Sequence, residues 1–477
     1  PVETNRMIPE SPGLPSWQIP QWLWGYWMPI GLLLLIWGGL APRKARRVAP
    51  LAGLTMALGV LGYWATGFAL HLGGAQTVSP DAPGLSGLRA LFSFIPGDTG
   101  WGVVGLSGFF LLQSDLTSEV IGLFLEYLPV MISAIMVLTL ALIERRRWTM
   151  TLAGAVCGAM IVPVAACWMW GGGWLARLGD TLSLAHGFVD FGGTLLILWL
   201  PGMIALGFLA VQPKANLPRT PAPPQTYGPM LANVGALLIA LGWMGWSLSQ
   251  PFHLSGARLD WNRAGLNVIL GMAGAVLTSQ LYAWLSLGAP GALLAAQGLA
   301  AGWGTALAGA PFIPSWAALG LGLISGLAYP LLRHAIHVWL RHSSGAATIA
   351  LALTAGPLGM LGIGFLADGQ GGQGLNGIGA YIAGETTGQG VAGLFARGDP
   401  QQLIAQAVGL TALGVWGLAW GIALGIITRP RAVARSLIGR LTTQSVETER
   451  SAQTPETTAD PSASEPSIKR SAETPGD

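Results

Sequence analysis

Charge is what this sequence has least of. Only 9% of its 477 residues are Asp, Glu, Lys or Arg, against roughly 25% in an ordinary soluble domain, so a soluble enzyme is excluded at the outset. Cysteine is nearly absent. The two that occur, Cys157 and Cys167, lie in one apolar stretch and would stand about 15 Å apart along a helix, beyond the reach of a disulfide. There are six histidines, and no C-x-x-C, H-E-x-x-H, G-x-S-x-G or phosphate-binding P-loop pattern occurs. Metal, nucleophile and nucleotide chemistry therefore have no foothold, and neither an enzyme nor a cofactor is expected. A net charge of +3 is too small to imply a nucleic-acid partner.

What is abundant is apolar surface. The chain is 52% hydrophobic, with 21 Trp and 13 Phe, which sets its 70 glycines and 32 prolines apart from those of a low-complexity chain. Apolar stretches of about 20 residues, enough to cross a bilayer as helices, fall at 21–42, 49–71, 121–143, 149–170, 187–211, 229–249, 264–287, 291–311, 315–340, 345–367 and 402–427. A shorter stretch, 101–112, reads as an outer-surface or re-entrant piece. The sequence thus describes an all-α membrane protein with eleven transmembrane helices.

Basic residues set its orientation. Alternate loops collect Arg43, Lys44, Arg46 and Arg47; Arg145, Arg146 and Arg147; Lys214 and Arg219; Arg333 and Arg341; and Arg429, Arg431, Arg435 and Arg440. The opposite loops hold Arg6, Arg89, Arg177, Arg258, Arg263 and Arg397. The N-terminal segment 1–20 is then outside and the C-terminus cytoplasmic, in an inner (plasma) membrane. A Pro-rich linker, 212–228, follows the fifth span and divides the membrane domain 21–430 into halves 21–211 and 229–427. The second half begins inverted, which reads either as two five-helix repeats with a pathway at their interface or as no more than a plain linker or fusion scar between two segments; the eleventh helix follows. Residues 431–477 are rich in Ser, Thr, Glu and Pro and read as a disordered cytoplasmic tail. The Gly-rich stretch 368–400 reads as a flexible or partner-contacting outer loop.

Two acidic residues fall inside spans, where desolvation makes carboxylates functional by default. Asp190 precedes Phe191-Gly192-Gly193-Thr194 and is placed either to accept hydrogen bonds from amides exposed beside the glycines or to contact an ion. Glu126 lies about two turns inside the outer edge of span three, within snorkelling distance of water. His334 and His337 share one helical face near the inner end of span nine but lack further metal ligands. The other histidines lie near span ends.

Two stretches, Trp170-Gly171-Gly172-Gly173-Trp174-Leu175 and Val189-Asp190-Phe191-Gly192-Gly193-Thr194, resemble the ammonium transporter/Rh family. There a Trp-Gly-Gly-Gly run leads to an Asp-Phe-Ala-Gly-Gly-Thr signature at the start of the fifth helix. Trp37-Gly38-Gly39-Leu40, Glu144-Arg145 and Gly242-Trp243-Met244-Gly245-Trp246 match in the expected order. The resemblance implies an ammonium transporter-like fold, a homotrimer in the lipid bilayer with one narrow pore per subunit, and a cytoplasmic regulator or a membrane-complex partner. It makes Trp170 the vestibule tryptophan, puts Trp246 where the family has a gating Phe, the other gate position near Glu126 or Tyr127, and the vestibule serine at Gln250. Asp190, Gly192, Gly193 and Thr194 become structural residues near the pore.

The resemblance breaks at the pore histidines. Their positions fall on Ile197 or Leu198 in span five and on Leu358 within Gly356-Pro357-Leu358-Gly359. Imidazole can hydrogen-bond a passing species or relay its proton, whereas alkyl groups can do neither. The expectation is a channel for ammonium, ammonia or another small neutral gas such as carbon dioxide, through a histidine-free apolar pore. The rival is a non-conducting sensor or a subunit of a larger membrane assembly.

Overall fold

The computed structural model describes residues 22–79, 84–112, 117–145, 147–213, 224–249, 259–341, 343–378 and 390–429. Among these, eight helices are long and apolar enough to cross a membrane: α2 (Pro42–Thr77), α3 (Ser118–Ala141), α4 (Trp148–Met169), α6 (Gly228–Ser247), α7 (Trp261–Leu287), α9 (Ser315–Leu340), α10 (Gly345–Leu366) and α11 (Gln401–Ile427). Of three shorter apolar helices, α1 (Trp22–Gly38) precedes these in the chain, and α5 (Leu195–Ala210) and α8 (Ala292–Leu307) fall between them. As far as the described residues go, the regular structure is helical apart from one small antiparallel hairpin, β1 (Leu91–Ser93) paired with β2 (Gly102–Gly105), and an isolated antiparallel bridge between Asp368 and Ala392.

Glycine decides how the helices meet. Lipid supplies no hydrophobic drive between helices, so close van der Waals contact must hold them, and that requires small residues at the interface. Helices α1 and α6 run antiparallel with glycines seven residues apart, or about two turns, facing each other. A Cβ on Gly31 would lie 2.6 Å from the Gly235 carbonyl oxygen, one on Gly38 would lie 2.7 Å from the Ala232 nitrogen, and one on Gly242 would lie 2.5 Å from the Met28 nitrogen. Helices α5 and α10 also cross antiparallel, with Gly202 against Ala352 and Gly356 against Trp199.

Burial separates an inner from an outer set. From Tyr127 to Ile143, α3 and the turn after it are buried without interruption. Helices α7, α9 and α11, by contrast, expose Ile269, Leu277, Trp316, Ile324, Val415 and Ile426, apolar faces suited to lipid. At one end of α3, Glu144 pairs with Lys44 of α2 at 2.6 Å. Burial pulls the neighbouring Arg145 guanidinium below its usual pKa, and Glu144 opposes that shift.

Four local features depart from the sequence reading. Helix α2 starts at Pro42 rather than near 49, because Pro suits a first helical turn and the basic run behind it continues the helix. Helix α5 starts at Leu195 rather than near 187. Residues 183–194 are almost wholly non-helical, with positive φ at Ser183, Ala185, Gly187 and Gly193. The 101–112 stretch contributes β2 and then a short 3-10 turn, and β2 docks on the end of α4, where Trp168 Nε1 donates to the Val103 oxygen at 3.0 Å. Residues 368–378 are tied down instead of loose, through the Arg263–Asp368 ion pair and through Asn376 Nδ2, which donates to the His186 oxygen at 2.8 Å. The tail 430–477 and residues 379–389 lie outside the described residues.

Candidate functional site

The site is organised by a break in the chain between α4 and α5. Helix α4 ends at Met169, and Gly171 allows the backbone to press against the carbonyl of His71, where no Cβ would fit. The non-helical segment that follows needs partners for its buried peptide groups. Two glutamines of α11 supply them. Gln402 accepts from the His186 nitrogen at 3.2 Å and donates to the Gly187 oxygen at 2.9 Å, and Gln406 brackets Val189 in the same way at 3.0 and 2.6 Å.

Asp190 then starts α5. Its buried carboxylate accepts from the Thr194 nitrogen at 3.0 Å and the Leu195 nitrogen at 2.8 Å, filling the orphan donors of a helix N-terminus and complementing its dipole. The capping reading of Asp190 is the one observed. Thr194 Oγ1 donates to the Gly304 oxygen at 2.9 Å, fastening α5 to α8. Gly192 lies against Leu307 and Trp243. At Gly193 φ is +75°, and a Cβ would lie 2.7 Å from Trp170 Cη2 and 3.8 Å from Ile197 Cδ1. The first turn of α5, Leu195–Trp199, is a π-helical turn.

Beside that turn stands a group of buried rings. Tyr127 of α3, Trp170 and Trp246 of α6 contact one another pairwise, with ring centroids 5.8, 5.8 and 6.1 Å apart. Trp170 Nε1 donates to the Asp190 oxygen at 3.3 Å, and Trp246 Nε1 donates to the Glu126 oxygen at 2.8 Å, so both indoles are oriented as well as packed. Glu126 is only 4% exposed. It is buried instead of reaching water as expected, with its backbone oxygen held by the α6 indole.

One member of the cluster was not expected from the sequence. The His71 ring stands edge-on to Tyr127 at 4.9 Å, and its Nδ1 lies 3.0 Å from the Tyr63 hydroxyl. In a regular α-helix, residues eight apart are rotated by about 80°, so Tyr63 and His71 look unrelated in the sequence. A π-helical turn at Tyr63–Gly67 accommodates an extra residue and brings them together. The only signal was a pair of polar aromatics among apolar neighbours.

Of the two residues proposed for the first histidine position, Ile197 is the one beside Trp170 at Gly193, whereas Leu198 packs into the groove of α8, 2.5 Å from where a Gly304 Cβ would be. Leu358 is half-buried on α10, level with Ile197 by the antiparallel pairing of Trp199 with Gly356 and of Gly202 with Ala352. Gln250 lies outside the described residues. Among the described residues no group of three or more His, Cys, Asp or Glu could hold a metal ion.

A broken helix entering a buried helical bundle, with oriented indoles at the break, defines a polytopic membrane protein of transporter type. The family model described as Ammonium Transporter Family matches residues 26–433, and the chain belongs to that family. Its relatives include Ammonium transporter Amt2 of Archaeoglobus fulgidus, 24% identical over 333 residues, 68% of this chain and 65% of that one. Ammonium transporter 1 of Dictyostelium discoideum is 27% identical over 304 residues, 60% of this chain and 56% of that one. These matches therefore span less than two thirds of the relatives' own lengths. Among solved structures, one described as Sensor Amt Protein covers 86% of this chain and 92% of its own at 18% identity, with a TM-score of 0.65. Mep2 of Saccharomyces cerevisiae covers 85% and 84% at 17% identity, with a TM-score of 0.61.

Proposed function

We propose that this protein is an ammonium transporter-type channel whose waist is lined by hydrocarbon instead of by paired imidazoles. The observation that carries the reading is the buried ring group of Tyr127, Trp170 and Trp246, set over Ile197 where α5 begins. Ring faces attract a cation, tryptophan most strongly, so the group suits an ammonium-collecting vestibule. Ile197 and Leu358 form the apolar waist, and Leu198 belongs to the packing between α5 and α8. In this reading the eleven helices are all spans, arranged as inverted halves 21–211 and 229–427 joined by 212–228, with α11 last. The antiparallel pairings of α1 with α6 and of α5 with α10 support it.

The distribution of basic residues in the sequence supports an N-terminus outside and a C-terminus in the cytoplasm, in the plasma membrane, and the proposed cytoplasmic regulator or membrane-complex partner would meet the cytoplasmic side. Family membership supports a homotrimer with one pore per subunit.

Uptake into proteoliposomes tests the channel. The parent protein is expected to carry ammonium, methylammonium or carbon dioxide above empty vesicles, and the double variant Ile197→His with Leu358→His to change the preference among them. No flux of any of the three removes the channel reading. Binding without flux is the result that the rival sensor reading requires.

A further inference from the structure

After β2 the chain turns back and runs along the side of α2. A Cβ on Gly105 would lie 2.5 Å from the Gly73 nitrogen, one on Gly73 would lie 2.7 Å from the Ser107 nitrogen, and one on Gly108 would lie 3.5 Å from Phe68 Cδ1. At the end of the run the Phe110 ring stands edge-on to Trp64, with centroids 5.3 Å apart. The contacts thus pass from residue 73 to residue 64 of α2, about 14 Å along the helix axis. Phe110 and Leu111 hold φ of +54° and +51°, a conformation that bulky residues adopt at a cost. Leu106, Phe110 and Leu112 are nonetheless exposed, Leu112 by 78%, as are Leu61 and Trp64 of α2.

The length of α2 fixes how deep this turn lies. Its first turns carry Arg43, Lys44, Arg46 and Arg47, and residues 48–80 hold no Asp, Glu, Lys or Arg. The charges keep that end at a membrane surface. A hydrocarbon layer of about 30 Å takes up about 20 helical residues, so it reaches to about residue 68, and tilt carries it further. Trp64 stands about 24 Å along the axis from residue 48, inside the layer, with Phe110 beside it. Residues 99–114 are likewise uncharged. Backbone groups of the run are also bonded within the protein, as non-helical chain at this depth requires: the Leu106 nitrogen donates to the Ala90 oxygen at 2.7 Å, Leu111 to Gly108 at 3.2 Å and Leu112 to Phe109 at 3.3 Å.

We infer that residues 105–112 form a re-entrant lipid-contact element, whose Leu106, Phe110 and Leu112 side chains pack among the acyl chains of the leaflet opposite the basic run. The occupant is lipid and not a second copy of the chain. Protein contacts within a bilayer need small residues, as this protein uses at Gly31, Gly38 and Gly242, whereas this patch is built of large ones. Trp64 belongs to the π-helical turn Tyr63–Gly67, so the element leans from the lipid side on the turn that carries Tyr63 to His71. The inference needs α2 to span the membrane and is independent of what the pore conducts.

The test places a thiol-linked, environment-sensitive fluorophore on Leu112→Cys in the full chain, reconstituted in phosphatidylcholine vesicles. Cys157 and Cys167 are buried and stay unlabelled. The label is expected to emit to the blue of its value in water, to lose fluorescence to lipids with a nitroxide on the acyl chain, and to be spared by aqueous iodide. A nitroxide near the glycerol end should quench more than one at the chain terminus, because Trp64 lies near the edge of the layer. Quenching by iodide places the tip in water and overturns the inference. Protection from both quenchers means that protein covers the tip, a second copy included, and overturns it equally, as does stronger quenching from the chain terminus. Should L112C fail to fold, Leu106→Cys carries the same label on the same element and is read by the same outcomes.

Discussion

Gly193 concentrates three demands on one residue. Its φ of +75° is a conformation that side chains adopt at a cost, its Cα is approached by the Trp170 ring, and the next two amides are those that Asp190 caps. Gly193→Ala is expected to destabilise the protein by about 1–3 kcal/mol and to displace the Trp170 indole. A lower melting temperature in detergent together with a changed tryptophan emission would register both effects, and a variant that melts and fluoresces like the parent would show that the turn tolerates a side chain. The Asp-Phe-Gly-Gly-Thr run was legible in the sequence as a capping site because carboxylate, glycines and apolar run are contiguous. The burial of Glu126 was not, since two turns from a helix end is compatible with a wet or a dry side chain, and packing from distant parts of the chain, such as Trp246 bonded to its backbone oxygen, is invisible in the local sequence.

At the scale of elements, the segment 183–194 survives inside the bundle only because other elements satisfy its backbone. Gln402 and Gln406, one turn apart on α11, act as side-chain substitutes for a neighbouring strand. Replacing both by Leu leaves four peptide groups without these partners, each costing about 1–3 kcal/mol if it stays buried. The expected result is a large loss of thermal stability, with faster hydrogen exchange at the amides of His186 and Val189; parent-like exchange there would mean that other groups hold the segment. Sequence periodicity ran α5 back to 187 because the segment is as apolar as a helix. Its departure from helix is set by glycines and distant amides, which no window of local hydropathy contains. The same blindness hid the Tyr63–His71 contact, because a π-helical turn changes the helical phase without changing composition.

For the whole molecule, Cys157 and Cys167 provide a readout of integrity. Both are free and fully buried, so a thiol reagent should reach neither while the bundle holds. Labelling is expected to rise only with thermal unfolding, with both thiols appearing together; labelling of one at low temperature would reveal local opening of α4. Both cysteines lie on the helix that leads into Trp170, so the assay also reports on the ring group.

Composition and pattern alone determined the membrane class, the order of the apolar helices, the glycine stripes and the family signature, because bilayer length and the scarcity of charge act on residues adjacent in sequence. Tertiary structure decided which of Ile197 and Leu198 faces Trp170, where α5 begins, that His71 joins the rings and that Glu126 is dry. Each of those depends on a neighbour from another helix, and in a protein whose helices are held by close van der Waals contact, the phase and depth of each helix are set by the partner it touches.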